Sequence, residues 1–105
     1  MAGSVTKVLK SVDFEVFGKV QGVFFRKHTH ATATKFGLVG WVMNTKRHTV
    51  VGCMQGDTDR TTEMKTWLRT KGSPQSHITD CKFSNEKVID KLEFKEFLIR
   101  CGKGD

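Results

Sequence analysis

The chain has 105 residues, which is enough for one two-layer core but too short for two separate cores. Its 18 Lys and Arg against 11 Asp and Glu give a net charge of +7, which favours anionic partners and excludes a strongly cationic ligand. The apolar runs are far shorter than the ~20 residues that a membrane span needs, so we expect no membrane partner. We expect a single domain over residues 1–105, with flexible termini at 1–10 and 101–105.

The cysteines and the first residues favour a cytoplasmic location. Cys53, Cys81 and Cys101 are widely spaced, form no C-x-x-C pair, and are not completed to a zinc pattern by the histidines. Residues 1–10 lack the apolar core of a secretory signal. We therefore expect reduced thiols, a cytoplasmic protein, and no metal or other cofactor.

The first half of the chain predicts a strand, a helix and a second strand. Residues 11–17 alternate between apolar and polar types, which is typical of a strand. Apolar or small residues then recur at a helical period of three to four positions, at Phe25, Thr29, Ala33 and Phe36. Residues 38–44 again alternate and predict the second strand.

The second half predicts a hairpin, a helix and two further strands. Residues 49–55 form the third strand, and the short connection at 45–48 pairs it with the second strand as a hairpin. Asp57 or Thr58 can cap a helix with Met64, Trp67, Leu68 and Lys71 on one face, and Gly72 and Pro74 end it. Residues 77–83 and 92–99 predict the last strands, joined by the polar stretch 84–91.

The predicted element order is βαββαβ followed by a fifth strand. Right-handed crossovers in this order give an α+β, ferredoxin-like two-layer sandwich with both helices on one face of the sheet. The first crossover passes through a glycine-containing segment, and this segment is the strongest functional signal in the chain.

Residues 18–26 read G-K-V-Q-G-V-F-F-R, with Gly18 and Gly22 four apart and Arg26 where the helix begins. Glycine lets the main chain approach a ligand closely, and the first amides of a helix have no internal partners and bind anions. Arginine adds a fixed positive fork that matches phosphate oxygens. The segment is not a Walker loop, because no Gly-Lys-Ser/Thr follows Gly22. From spacing alone, an anion cradle and a simple connecting turn remain equally possible.

The same segment resembles the phosphate-binding signature of acylphosphatases, G-x-V-Q-G-V-x-[FM]-R. Residues 40–56, G-W-V-M-N-T-K-R-H-T-V-V-G-C-M-Q-G, resemble that family's second signature, and residues 83–94 are similar to its small animal members. The resemblance covers roughly residues 11–100. It implies a ferredoxin-like fold and the metal-independent hydrolysis of acyl phosphates to a carboxylate and inorganic phosphate.

The resemblance also implies the site residues. The phosphate-binding arginine corresponds to Arg26 and the water-orienting asparagine to Asn44, with Gly18 and Thr45 in support. The loop whose backbone amides bind phosphate corresponds to Lys19, Val20, Gln21, Gly22, Val23, Phe24 and Phe25. The expected partners are a small acyl phosphate substrate and inorganic phosphate as product and inhibitor. We expect a monomer without a nucleic-acid partner.

Three alternatives share the predicted fold or the site. An RNA-recognition module has the same element order, but it stacks bases on aromatic residues of its first and third strands, and the third strand here has none. A member of the family that only binds phosphate, without turnover, is a second alternative, and the presence of Arg26 and Asn44 argues against it. A metallochaperone would need C-x-x-C after the first strand, where this chain has V-Q-G-V.

His48 departs from the family pattern, which usually has glycine at that position of the hairpin. If this position requires positive φ, histidine tolerates it better than most residues but is strained by roughly 1 kcal/mol. We therefore expect a strained turn four residues beyond Asn44.

Overall fold

The computed structural model describes residues 8–104, and their side chains up to residue 100. Seven elements follow one another in the order that the sequence predicts. Their bounds are β1 (Leu9–Lys19), α1 (Phe25–Lys35), β2 (Val39–Thr45), β3 (Val50–Asp57), α2 (Thr58–Thr70), β4 (His77–Ile89) and β5 (Phe97–Gly104).

The five strands form one mixed sheet in the order β4-β1-β3-β2-β5. The pairs β1–β3, β1–β4 and β2–β3 are antiparallel, and β2–β5 is parallel. Val50, at the start of β3, pairs with Val16 of β1 on one side and with Asn44 of β2 on the other. The carboxyl ends of β1 and β2 therefore lie at the same end of the sheet, on either side of the start of β3. This brings the two signature segments together.

The core lies between the sheet and the two helices. Alternate residues of β1 point into it, and Val12, Phe14 and Val16 are almost fully buried. Helix α1 buries three of the four residues that its period predicts, whereas on α2 only Met64 and Leu68 of the predicted face are buried, Trp67 is half-buried and Lys71 is exposed. On α1 the buried residues are Phe25, Thr29 and Ala33, and on α2 they are Thr61, Met64 and Leu68. The rings of Phe25 and Trp67 lie 5.8 Å apart and join the two helices.

The prediction for the fourth strand was too short. Residues 84–91 were expected to be a connection, but β4 continues to Ile89 and pairs with Leu9 at the start of β1. Most β4 side chains are exposed because this strand lies at the sheet edge and packs little of its surface. The polar residues at 84–89 therefore reflect the exposure of an edge strand to solvent, and they do not end the strand.

The prediction for the fifth strand began too early. Residues 92–96 are irregular, and β5 begins only at Phe97. The backbone N–H of Glu93 donates to Gln55 Oε1 at 2.8 Å, and Gln55 Nε2 donates to Glu93 Oε1 at 2.6 Å. The buried side chain of Gln55 thus provides the hydrogen-bond acceptor that a neighbouring strand would otherwise provide for the backbone N–H of Glu93.

The sheet extends further toward both ends than we predicted. Leu9 and Lys10 lie in β1, and the backbone of residues 101–104 belongs to β5, so part of each segment expected as a terminus is paired in the sheet. The flexibility expected of these segments stays a prediction. The remainder of that expectation, residues 1–7 and 105, lies outside the described residues.

Candidate active site

The end of β1 and the segment after it are shaped by two glycines and two buried valines. Gly18 has a φ of 120°, and a Cβ there would lie 2.1 Å from the backbone oxygen of His77, so only glycine fits. Val20 and Val23 are buried and anchor the loop to the core. Gly22 lies between them, exposed and with a φ of 74°. The backbone around Gly22 is therefore held out toward solvent by its two apolar neighbours.

The first turn of α1 has open backbone amides. Phe24 occupies the N-cap position in the left-handed conformation, and in the described chain no side chain caps this helix. The first helical hydrogen bond runs from the N–H of His28 to the carbonyl of Phe24 at 3.0 Å. The backbone N–H groups of residues 21–27 consequently have no acceptor within residues 8–104. Such a run of free amides at a helix start attracts an anion.

A cavity of about 280 Å³ opens beside this helix start. It brings together Arg26 and Asn44, the two residues to which the resemblance assigns catalysis. The other lining residues come from the loop, the first turn of α1 and β5, and are Val20, Gly22, Phe24, Phe25, Lys27 and Ile99. The predicted residues Gly18, Lys19, Gln21, Val23 and Thr45 do not line it.

Arg26 lies half-buried in the first turn of α1. One guanidinium nitrogen, Nη1, donates to the backbone oxygen of Arg100 at 3.3 Å, which ties the side chain to β5. The other guanidinium N–H groups have no partner among the described residues. Arginine therefore presents a positioned positive charge with donors to spare at the cavity.

Asn44 reaches the cavity from the end of β2. Its Oδ1 atom is buried and, within the described part of the chain, accepts no hydrogen bond. An unpaired buried carbonyl oxygen costs free energy, so it needs a donor such as a water molecule. Asn44 thus has an unpaired acceptor and lines the cavity beside the start of α1.

Comparison with known proteins identifies the family. A family model described as Acylphosphatase matches residues 12–99. The chain is 59% identical to Acylphosphatase-1 of Homo sapiens over 91 residues, which cover 87% of this chain and 92% of the relative. It is 55% identical to Acylphosphatase-2 of Mus musculus over 97 residues, 92% of both chains. This chain belongs to the acylphosphatase family.

The fold of the family is confirmed as well. The crystal structure of acylphosphatase from Bacillus subtilis superposes with a TM-score of 0.80 at 30% identity, covering 88% of this chain and 99% of that one. The ferredoxin-like architecture and the identification as a hydrolase are thereby confirmed. No helix among residues 8–104 is long and apolar enough to cross a membrane.

A hydrogen-bonded network connects the acylphosphatase loop to the β2–β3 hairpin. Gln21 Nε2 donates to the backbone oxygens of Thr45 and Thr49, at 2.9 and 2.8 Å. The hydroxyl groups of these threonines lie 2.7 Å apart, and the Thr49 hydroxyl donates to Glu15 Oε2 at 2.6 Å. Gln21 and Thr45 thus fix the loop against the strand end that carries Asn44.

Thr49 and Glu15 are parts of this support that sequence analysis missed. Glu15 also receives a hydrogen bond from Arg47 at 2.9 Å. Burial opposes ionisation of Glu15, but the hydrogen bonds from Thr49 and Arg47 outweigh it and lower the pKa of the carboxyl. Glu15 is therefore an anionic anchor and not an acid for catalysis. The only indication of this network in the sequence was the pair of threonines, Thr45 and Thr49, on the two sides of the short hairpin turn.

His48 has positive φ, which is the condition under which strain was expected at this position. Its φ is 66°, and its N–H donates to the Thr45 carbonyl at 3.3 Å, while the N–H of Thr45 donates to Thr49 at 2.9 Å. This is a turn whose last residue adopts the left-handed conformation that glycine takes most easily. The strain expected for histidine here remains a prediction.

The described cysteines offer no nucleophile for the reaction. Cys53 and Cys81 are both free, and burial raises the pKa of each thiol to about 11. At neutral pH both are protonated, and the thiol is a weak nucleophile compared with the thiolate. Neither residue lines the cavity. The expectation for the Cys101 side chain lies outside the described residues.

Proposed function

We propose that the cavity at the start of α1 is the site where this chain hydrolyses acyl phosphates to a carboxylate and inorganic phosphate. The observation that supports this most strongly is the meeting of Arg26, Asn44 and the open amides of the loop around one cavity. The names of the relatives do not favour a non-catalytic phosphate-binding domain.

The phosphoryl group binds to the backbone amides of the loop and the first turn of α1. These amides are open and lie at the positive end of the helix dipole. The guanidinium of Arg26 forms charge-assisted hydrogen bonds to the phosphoryl oxygens. Together they hold the phosphoryl group and stabilise the negative charge that it carries through the transition state.

Asn44 orients the attacking water. Its buried Oδ1 accepts a hydrogen bond from that water, and its amide N–H₂ can donate to the same water or to a phosphoryl oxygen. An amide is a poor base, so we propose that a phosphoryl oxygen of the substrate takes the proton of the water. The oxygen of the water bonds to phosphorus, and the bond from phosphorus to the acyl oxygen breaks.

The leaving group explains why so few residues suffice. A carboxylate with a pKa of about 4 departs as an anion at neutral pH, so no general acid is needed. A phosphomonoester would expel an alkoxide, which this site supplies with neither a proton nor a metal ion. We therefore propose that the site needs no metal ion and discriminates against phosphomonoesters.

The activity is tested by following benzoyl phosphate hydrolysis in the ultraviolet with purified protein. We expect the same turnover with and without a chelator, and competitive inhibition by inorganic phosphate, which fits the same amides. Loss of activity in chelator that Mg²⁺ or Zn²⁺ restores would overturn the metal-free mechanism. Absence of inhibition at many millimolar phosphate would contradict the assignment of the loop.

We also propose that the protein acts in the cytoplasm as a monomer, without a nucleic-acid partner. The free thiols of Cys53 and Cys81 suit a reducing compartment. A small substrate requires no second subunit, because the residues proposed for catalysis come from one chain. Size-exclusion chromatography with light scattering measures the oligomeric state directly.

A further inference from the structure

We propose that the side chains of Phe24 and Ile99 form an apolar wall that contacts the acyl group of the substrate. This wall would make the site select acyl phosphates with a bulky apolar acyl group, such as a benzoyl ring, over those with a small one, such as acetyl. The proposal rests on the proposed function, since it requires the phosphoryl group to be bound at the start of α1.

Phe24 combines two features that are individually unfavourable. Its ring is 71% exposed to solvent, the largest exposed fraction among the exposed apolar side chains in the described chain. Its backbone has a φ of 58°, a conformation that glycine adopts freely and that a residue with a bulky side chain rarely does. The amide of Phe24 belongs to the proposed phosphate loop, but an amide needs no phenyl ring. The exposed ring therefore calls for a separate explanation. Phe24 lines the cavity at the start of α1 and also a smaller pocket shared with His28 and Pro74.

Ile99 reaches the same cavity from a different element. It lies on β5 beside Val42 of the neighbouring strand, and its side chain is 40% exposed. An aromatic ring from the loop and a branched aliphatic side chain from the sheet edge thus border one space. Apolar walls on either side of a few polar groups are typical of sites that bind small organic molecules.

The size of the cavity leaves room for the acyl group. Its volume of about 280 Å³ equals the share of about nine water molecules at ~30 Å³ each, which exceeds what one phosphorus and its oxygens displace. The acyl group is attached to the phosphoryl group through a single oxygen, so it must lie next to the amides and Arg26. Apart from Gly22, Arg26 and Asn44, the cavity is lined by the exposed Phe24 and Ile99, the buried Val20 and Phe25, and Lys27. Of these, Phe24 and Ile99 are the exposed apolar residues that an acyl group can contact.

The test compares kcat/KM for benzoyl phosphate and acetyl phosphate in single variants. The ratio of the two values cancels the intrinsic reactivity of each substrate when a variant is compared with the unmodified chain. Loss of the contact with one large apolar side chain should lower the ratio by about tenfold in Phe24→Ala and by about threefold in Ile99→Ala. Phe24→Leu keeps apolar bulk and should retain most of the ratio.

Leu98→Ala is the matched control. Leu98 is adjacent to Ile99 on β5 and 48% exposed, but it does not line the cavity, so the ratio should not change. The inhibition constant of inorganic phosphate is measured for every variant, because phosphate has no acyl group. An unchanged ratio in Phe24→Ala and Ile99→Ala overturns the proposal, as does a fall in Leu98→Ala of the same size.

The failure of the phosphate site would look different. If Arg26→Ala left the inhibition constant of phosphate unchanged, the proposed function would fail whatever the substrate ratios showed. A weaker binding of phosphate in Phe24→Ala with an unchanged ratio would mean that the ring only supports the loop, and would also overturn the acyl-group wall.

Discussion

The two helices of the molecule begin in opposite ways. At the start of α2, the Asp57 side chain accepts a hydrogen bond from the N–H of Asp59 at 3.3 Å, and Asp59 adds a second carboxylate to the first turn. The N–H of Thr58 donates to the Val8 carbonyl at 3.0 Å. At the start of α1, a phenylalanine takes the cap position and the first turn carries Arg26 and no acidic residue.

One fold thus uses the start of one helix for stability and, as we propose, the start of the other for binding. Both helices carry partial positive charge at their first turn. In α2 the chain supplies its own acceptors for the N–H groups of Thr58 and Asp59 and places the Asp59 carboxylate in the first turn, so these groups contribute to stability. In α1 a carboxylate from the chain would compete with a phosphoryl group for the backbone amides. The first turn of α1 has no acidic residue, so its amides remain available to the substrate.

Loss of the first-turn arginine should affect the two helices very differently. Arg26→Ala removes a charged contact to the phosphoryl group, so we expect turnover to fall by roughly 10²–10³ or more and phosphate to bind more weakly. Arg60→Ala is the matched control, because Arg60 also lies in a first turn but forms an exposed ion pair with Glu63 at 3.1 Å. Steady-state kinetics and phosphate inhibition measure both. A comparable loss in Arg60→Ala would contradict the assignment.

The variant Asn44→Ala distinguishes the orientation of the water from the binding of the phosphoryl group. We expect turnover to fall by roughly 10²–10³, as for Arg26→Ala, while the inhibition constant of phosphate stays nearly the same, because Asn44 contacts the water. Kinetics with benzoyl phosphate and inhibition by phosphate are measured on the same preparation. If both variants lost phosphate affinity equally, the proposed division of labour between the two residues would be wrong.

The cap of α2 should matter for stability alone. Asp57→Ala removes the side chain that accepts from Asp59, and we expect the free energy of unfolding to fall by about 1 kcal/mol. Denaturant unfolding followed by circular dichroism measures this change, and kcat and the inhibition constant of phosphate should stay as they were. A marked loss of phosphate affinity in this variant would show that the two helix starts are not separate in function.

The smallest expected effect is at the hairpin turn. His48→Gly removes the Cβ from a residue with positive φ, but glycine also gains freedom in the unfolded chain. We expect a net stabilisation of roughly 0.3–1 kcal/mol with little change in kcat, since Asn44 lies four residues earlier. Denaturant unfolding of the two proteins decides this. A glycine variant of clearly lower stability would mean that the histidine is not strained.

The sequence predicted best where local physics and the final packing agree. The period of α1, the short β2–β3 hairpin and the cap at Asp57 are local signals, and each is found in the structure. The length of β4 was missed because an edge strand can be polar on both faces. The delayed start of β5 depends on Gln55, a residue distant in sequence that satisfies the chain at Glu93.

Within the site, the glycine loop, Arg26 and Asn44 could be named from the family signatures, and the structure places the two side chains on one cavity. The exposure of Phe24 was not predicted, because the burial of a loop side chain depends on how the loop packs in the folded chain. The support from Thr49 and Glu15 was also beyond sequence analysis, because their contact depends on the register of β1 and β3.

The central claim is that phosphate binds at the open amides of α1 and not at the capped start of α2. Titration of inorganic phosphate into ¹⁵N-labelled protein, followed by amide chemical shifts, tests it residue by residue. The account predicts that the amides of residues 21–27 shift together with one saturation curve, while those of Thr58 and Asp59 do not respond. Shifts of similar size at Thr58 and Asp59, or none at residues 21–27, would contradict it.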